Sequence, residues 1–453
     1  MAVITSRAPA LLQKAVAAAV AAIGLLHGGP ASAIGLLQAY QAALQNDPTY
    51  RMAGYDYEVG QEYAKIGRSG LLPNISGNYS ASKVRADVTA TNILNQEQTT
   101  HPQYISRVAS VTVRQTVLNL DAVARYKQGK AQTGMSEAIF DSQAQDLALR
   151  LTSAYIDALF ANEQLKLALA QREALREQRK VNDRLFEKGE GTRTDMLETQ
   201  AKLDSAEADV LEAQDSLTTN LAALSGIVGA EVTALDELAP SFRLMPLSPA
   251  GFDEWKALAM QHNPDLSAAT QAVEVARYEV SKSRAGHAPR LDFVASYSKN
   301  ASDTLNTYNQ DSTQRAVGIQ LTVPLYAGGY VSAVTRQAVA SQEKARADLQ
   351  GKTDKVLVDL RKQYSLVVSS VARIQALDKA VESGQLLVKA TEQSIKGGVR
   401  INLDLLNARQ QLYASQRDLA RSRYAYLLGV LRLRADAGML GMDDVREMAT
   451  YFR

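Results

Sequence analysis

Apolar residues follow two different periods along this chain. After Pro73, and again after Pro289, apolar and polar residues alternate in steps of two, which is the side-chain period of a β-strand. A polar segment rich in Thr, Asn and Gln follows each of these stretches, and a second alternating stretch comes after it. The pattern therefore predicts two strands in each half of the chain and four strands in all.

The clearest alternation runs from Ala316 to Leu325. Its apolar face carries Val317, Ile319, Leu321 and Val323, and its other face carries Gly318, Gln320 and Thr322. Such strands fit two structures: a half-buried hairpin on a soluble core, or a membrane barrel with apolar residues facing lipid and polar residues facing a lumen. Because only long helical segments flank the strands, no second sheet is available to cover the apolar face. We therefore favour the barrel.

Two segments, Asp121 to Lys188 and Tyr330 to Lys396, contain no proline and predict helices about 100 Å long. A loop with glycine follows each segment, and a returning stretch then places a large apolar residue at every seventh position. These residues are Met196, Leu203, Val210, Leu217 and Leu224 in the first half, and Leu405, Leu412, Leu419, Tyr426 and Leu433 in the second. A seven-residue repeat is typical of knobs-into-holes packing, so each half should end in an antiparallel coiled-coil hairpin.

The two halves of the chain are copies of each other. Pro48 and Pro73 recur as Pro264 and Pro289, 216 residues later, and the two heptad series are 209 residues apart. A tandem duplication of this size predicts one architecture built from two equivalent units. The predicted parts are a first repeat (34–228), a crossover linker (229–252), a second repeat (253–436) and a C-terminal tail (437–453).

The number of strands predicts an oligomer. Four strands cannot close a barrel, since even eight leave an interior only wide enough for side chains. Three chains would supply twelve strands around a real lumen, so we expect a homotrimer.

The first 33 residues have the features of a secretory signal peptide. Arg7 and Lys14 precede the apolar run Ala15 to Leu26, and the small residues Ala31 to Ala33 follow it. That run is too short for a membrane helix, and no later stretch has the roughly 18 consecutive apolar residues that one needs. We expect an exported chain without helical membrane spans.

Composition argues against several classes of function. Removing the signal peptide leaves 48 basic and 48 acidic residues, so nothing favours nucleic acid as a partner. The chain has no cysteine, which excludes disulfides and lipid attachment to an N-terminal cysteine. The mature histidines His101, His262 and His287 do not have the spacing of metal ligands. The sequence predicts no enzyme, no metal and no cofactor.

A helical hairpin continuous with amphipathic strands, repeated twice in an exported chain, resembles the TolC family of outer-membrane efflux and secretion channels. The resemblance covers nearly the whole mature chain and is most specific at the strand-to-helix segment Leu321 to Gly329, at its partner Gln115 to Asn119, and at the two hairpin tips. It implies a mainly α fold with a β-barrel part. Three chains would share one barrel in the outer-membrane lipid and one α-helical tunnel in the periplasm.

The resemblance also implies roles for residues at the hairpin tips. Arg400 of the second tip would close the periplasmic entrance by contacting Thr194 and Asp195 of the first. Asp404 would form an acidic ring in the constriction. Helix capping alone is the alternative for Asp195 and Asp404, since a carboxylate at the start of a helix satisfies free amides and the helix dipole.

Two residues depart from the family's pattern at this gate. Ile395 replaces a tyrosine that commonly supports the closed state, and Asn407 replaces a second acidic residue. We expect a more weakly closed and less negative entrance.

The function that the resemblance implies is a passive exit duct in the outer membrane of a Gram-negative bacterium. It would receive protein or small-molecule cargo from an inner-membrane ABC or other pump through a periplasmic adaptor (membrane fusion protein). The missing lipidation cysteine favours the type I protein secretion branch. The alternative is a periplasmic coiled-coil adaptor or structural rod; an adaptor has one hairpin and a separate β domain, whereas this chain predicts two hairpins.

Overall fold

The computed structural model describes residues 33–91, 93, 95–239, 242–302 and 310–453. All but the last residue of the predicted signal peptide, 1–33, lies outside these ranges. Among the described helices, none has a stretch both long and apolar enough to cross a membrane.

Each half opens with two helices that meet at a proline. The helices are α1 (Leu36–Asn46) and α2 (Pro48–Ser69) in the first half, and α5 (Phe252–His262) and α6 (Pro264–Arg284) in the second. The residue before each proline caps the second helix: Asp47 accepts a hydrogen bond from the Tyr50 amide at 2.7 Å, and Asn263 accepts one from the Leu266 amide at 3.0 Å. Proline suits the first helical position because it has no N–H that would need a partner.

One sheet joins the two halves. The strands of the described residues are β1 (Asn74–Arg85), β2 (Val88–Thr91), β3 (Glu97–Thr100), β4 (Gln103–Leu118), β5 (Arg290–Ser302) and β6 (Gln310–Thr322). Four of them, two from each half as the alternation predicts, form one sheet and pair antiparallel in the order β1-β4-β5-β6.

Two details of the strands differ from the prediction. The polar segment of the first half forms an additional two-stranded ribbon, β2 with β3, whose strands of four residues each are too short to be recognised from their pattern. The last strand ends at Thr322 and not at Leu325, because Pro324 has no N–H to donate to a neighbouring strand. Val323 therefore lies just beyond β6.

Two long helical hairpins follow the sheet. Their helices are α3 (Leu120–Glu187) with α4 (Arg193–Val228), and α7 (Tyr330–Lys396) with α8 (Asn402–Asp436); the short α9 (Met442–Ala449) comes last. The outgoing helices have 68 and 67 residues, about 100 Å each, and the returning helices 36 and 35. Nearer the sheet, α2 and α6 pack along α3 in place of the returning helices.

The heptad residues occupy the seams of the two hairpins, as the repeat predicts. Leu203, Val210, Leu224, Leu405, Leu419, Tyr426 and Leu433 are buried within one chain, and Met196, Leu217 and Leu412 are half-buried.

The main hydrophobic core lies midway along the molecule, where α1, α3 and α8 meet the crossover linker and the tail. The Tyr155 hydroxyl in this core donates to the Ile34 carbonyl at 3.0 Å. The chain end is paired there too, since Arg453 and Glu237 exchange both backbone hydrogen bonds. A collar of irregular segments thus fastens the two hairpins at mid-height.

Candidate functional site

One face of the sheet is apolar and open to solvent. The pairing register places Ile75, Val113, Ala295 and Val317 in one row across the four strands, so their side chains share a face. Of the predicted lipid-facing residues, Val317 is 74% exposed, Ile319 73%, Leu321 62% and Val323 49%. Exposed apolar residues in this number are not expected on a soluble sheet.

The opposite face is polar, and on the central strand β4 it is less exposed than the apolar face. Ser76, Thr112 and Ser296 lie side by side in a neighbouring row, and Gly318, Gln320 and Thr322 occupy the same face of β6. Between Tyr104 and Thr112 on β4, residues of the polar face are half-buried and those of the apolar face are exposed. The sheet is therefore inverted relative to a soluble one, with its apolar side outermost.

Each outer strand of the sheet is unpaired along one edge. In the sheet that the described residues form, β1 pairs only with β4, and β6 pairs only with β5. Each outer strand therefore presents a row of backbone N–H and C=O groups without partners in the chain, which is a template for pairing with another strand.

The first hairpin tip contains a capping box. Thr192 accepts a hydrogen bond from the Asp195 amide at 3.1 Å, and its own hydroxyl and amide donate to Asp195 Oδ2 at 2.6 and 3.3 Å. These bonds satisfy free amides at the start of α4. Asp195 thus has the capping role that sequence reasoning considered, and Thr194 beside it is exposed.

The second tip leaves its arginine free. Arg400 is exposed, and among the described residues of one chain it makes no hydrogen bond or ion pair. Asp404 lies half-buried in the first turn of α8, where the N-cap Ile401 offers no side-chain bond. Within one chain, the structure does not bring Arg400 to Thr194 or Asp195.

Ile395 and Asn407, the two residues that depart from the family's pattern, lie close to the second tip. Ile395 is half-buried in the last turn of α7, and Asn407 is exposed on α8. Neither residue contributes a side-chain hydrogen bond in the described part of the chain.

A buried polar network that the sequence analysis did not identify links the two tips. Thr199 Oγ1 accepts hydrogen bonds from Asn182 Nδ2 at 2.8 Å and from Asn402 Nδ2 at 3.1 Å, and donates to the Asp195 carbonyl at 2.8 Å. Gln178 bridges Asn182 and Asn402 with two bonds of 3.1 Å. The network joins α3 and α4 of the first hairpin to α8 of the second.

The heptad contains a signal for this network. Thr199 follows the heptad residue Met196 by three positions. In the next two heptads the same position is occupied by the small residues Ala206 and Ala213. A polar residue in a coiled-coil seam usually has a partner there, because an unpaired buried polar group is costly.

No arrangement in the described ranges suggests catalysis or metal binding. No group of three or more His, Asp or Glu side chains is placed to hold a metal ion there. Of the three histidines, His101 pairs with Asp87 at 2.5 Å beside the exposed ribbon, and His262 and His287 lie at the ends of helical segments.

Sequence comparison places these features in a known family. The profile described as outer membrane efflux protein matches residues 39–230 and 255–439, one segment per repeat. The alkaline protease secretion protein AprF of Pseudomonas aeruginosa is 43% identical over 430 residues, which cover 94% of this chain and 89% of that protein. The proteases secretion protein PrtF of Dickeya chrysanthemi is 38% identical, covering 94% and 93%.

Solved structures share the fold at low sequence identity. The outer membrane protein VceC of Vibrio cholerae superposes with a TM-score of 0.77 at 19% identity, covering 89% of this chain and 96% of that one. The CmeC outer membrane channel of Campylobacter jejuni superposes at 0.78 and 15% identity, covering 95% of both. With the inverted sheet and the paired hairpins, these matches show that the chain belongs to the outer membrane efflux protein family and is an outer-membrane exit duct for export.

Proposed function

We propose that three copies of this chain form the exit duct of a type I secretion system. The duct receives protein cargo from an inner-membrane ABC pump through a periplasmic adaptor and passes it out of the cell. The observation that carries the proposal is the inverted sheet with its two unpaired edges. The energy for transport comes from the pump.

The trimer follows from the cost of the edges. In lipid, each unsatisfied backbone group costs several kcal/mol, so an open sheet does not persist there. β1 has 12 residues and β6 has 13, and these lengths allow β6 of one copy to pair with β1 of the next along their full span. Three copies close the barrel with the apolar face, including Ile319, outward.

Protein cargo is inferred from the relatives. AprF and PrtF, which match nearly the whole chain, are both named for the secretion of proteases. The solved outer-membrane proteins VceC and CmeC are below 20% identity and support the fold alone.

The gate is proposed between neighbouring copies. Arg400 has an unused charge at the second tip, and Asp195 has an unused oxygen at the first, since its capping bonds all go to Oδ2. Asp195 Oδ1 and the exposed Thr194 hydroxyl are therefore free to accept from the Arg400 of the next copy while Asp195 still caps α4. Asp404 of each copy would then line the constriction as a ring.

Complementation tests the proposed cargo. The chain is expressed in a Pseudomonas aeruginosa strain that lacks AprF, and protease activity is measured in the culture medium and in the cells. We expect secretion to be restored by the wild type and by Gln320→Arg, and to be lost in Ile319→Arg, which places a charge toward lipid. Protease retained in cells that hold heat-stable trimers in the outer membrane would contradict a secretion role.

A further inference from the structure

A cleft lies between the two hairpins, midway between the collar and the tips. Its volume is about 260 Å³, just below the roughly 300–1,000 Å³ of most small-molecule sites. α3 and α8 run antiparallel along it, since Gln171 contacts Gln410 and Gln178 contacts Asn402. Small residues, Ala170 and Ala174, face the larger side chains of α8 there and leave the space open.

The two ends of the cleft differ in chemistry. At the end nearer the tips stand two cations, Lys202 of α4 and Arg409 of α8; Arg409 donates to the Ala174 carbonyl at 3.1 Å. Most of the other lining side chains are apolar, with Leu175 and Leu406 nearer the tips and Leu167 and Leu412 nearer the collar, and Gln416 lies at the collar end. The cleft therefore combines a mainly apolar lining with cations at one end.

The charge at the basic end is not balanced. Arg409 pairs with Glu392 at 2.7 Å, which compensates its charge. Lys202 has no acidic partner within 4.0 Å in the described part of the chain. An anion at the basic end would supply the missing partner for Lys202.

From these observations we infer that the cleft binds an anionic amphiphile, with a carboxylate at Lys202 and an acyl chain along the apolar wall. The wall of α8 from Leu406 to Gln416 is about 15 Å long at the rise of an α-helix, which suits an extended fatty acid of about ten to twelve carbons. Because the cleft is shared by both hairpins, a bound fatty acid would contact both and hold them together. This site does not depend on the cargo of the duct.

The test measures binding to the whole protein in detergent-free nanodiscs. A fluorescent dansyl-undecanoate is bound first, and dodecanoate, dodecyltrimethylammonium and dodecyl maltoside are compared as competitors. We expect dodecanoate to displace the probe at much lower concentration than the other two. Lys202→Gln should weaken dodecanoate about tenfold, as for loss of a charge-assisted contact, and Ala170→Trp should abolish binding by filling the cleft. Lys180→Gln, on α3 but outside the cleft, is the matched control.

Two results would overturn the inference. The first is equal displacement by all three amphiphiles with no effect of Lys202→Gln, which indicates apolar adsorption only. The second comes from thiol labelling, which is clean because the chain has no native cysteine. If Gln416→Cys resists a maleimide in the empty trimer while Lys180→Cys reacts, a neighbouring protein segment covers the cleft. Protection of Gln416→Cys only after dodecanoate is added would support the site. Heat-stable trimers confirm folding of every variant.

Discussion

The buried network between the hairpin tips gives a prediction whose size follows from its hydrogen bonds. Thr199→Val keeps the side-chain shape and removes the hydroxyl. Asn182 Nδ2 retains its second bond, to the Asp195 carbonyl at 3.3 Å, whereas Asn402 Nδ2 has Thr199 as its protein partner and loses it. Asn402 is 8% exposed, so its free N–H is left largely without water. An unsatisfied buried donor costs about 1–3 kcal/mol.

We therefore expect Thr199→Val to favour release of the start of α8 by about 2 kcal/mol, which corresponds to roughly thirtyfold more frequent opening. Hydrogen–deuterium exchange in peptides covering residues 402–410 measures this opening, because exchange of protected amides follows local unfolding. Peptides covering 424–433, in the collar core, should not change. Thr199→Ser keeps the hydroxyl and is the matched control.

Equal exchange at residues 402–410 in the Val and Ser variants would refute this reasoning. It would mean that apolar contacts, such as those of Leu406 with Leu175 and Leu203, hold the two tips together without help from the network.

Three further predictions concern the gate, the collar and the barrel. Arg400→Ser should raise single-channel conductance in planar bilayers without loss of trimers, and adding Asp195→Ala should change little if both act through one contact; unchanged conductance would leave Asp195 as a helix cap only. Burial, with a neighbouring aspartate, raises the pKa of Asp436 to about 6 from 3.8. Because the folded state then binds the proton more tightly than the unfolded state, the unfolding temperature should fall as pH rises from about 4 to 7. Asp436→Asn should remove this fall. Ile319→Arg should cost roughly 2–4 kcal/mol near the bilayer midplane and reduce trimers on unheated gels, whereas Gln320→Arg should not; equal effects would contradict the assigned faces.

The fold was predictable because its main elements repeat short periods. Alternation in steps of two identified the strands, and a residue such as Leu203 at every seventh position identified the coiled-coil seams. The ribbon β2–β3 was not predicted, since it buries no apolar face and its strands have only four residues each. The end of β6 was misjudged because alternation continues through Val323, whereas backbone pairing stops before Pro324.

The site was predictable only in part. The hairpin tips stand out as polar loops between long helices, and the resemblance to the family singled out Asp195 and Arg400 within them, whose contact stays a prediction. The network around Thr199 was not identified, because Asn402 is 203 residues from Thr199 in sequence and the two residues meet only when the hairpins pack. The unpaired charge of Lys202 was not predicted for the same reason, because only the packed structure shows that no acidic side chain lies beside it.

The unequal lengths of the outgoing and returning helices have a geometric consequence. Near the sheet, α2 and α6 accompany α3 and α7; farther down, α4 and α8 accompany them, so each chain presents four helices at both levels, one for every strand of its sheet. A tunnel wall with a constant number of helices keeps a constant perimeter. If the tunnel narrows at the far end, the narrowing must come from the pitch at which the helices wind around one another. Widening the tunnel then requires the helices to unwind and not the removal of a helix.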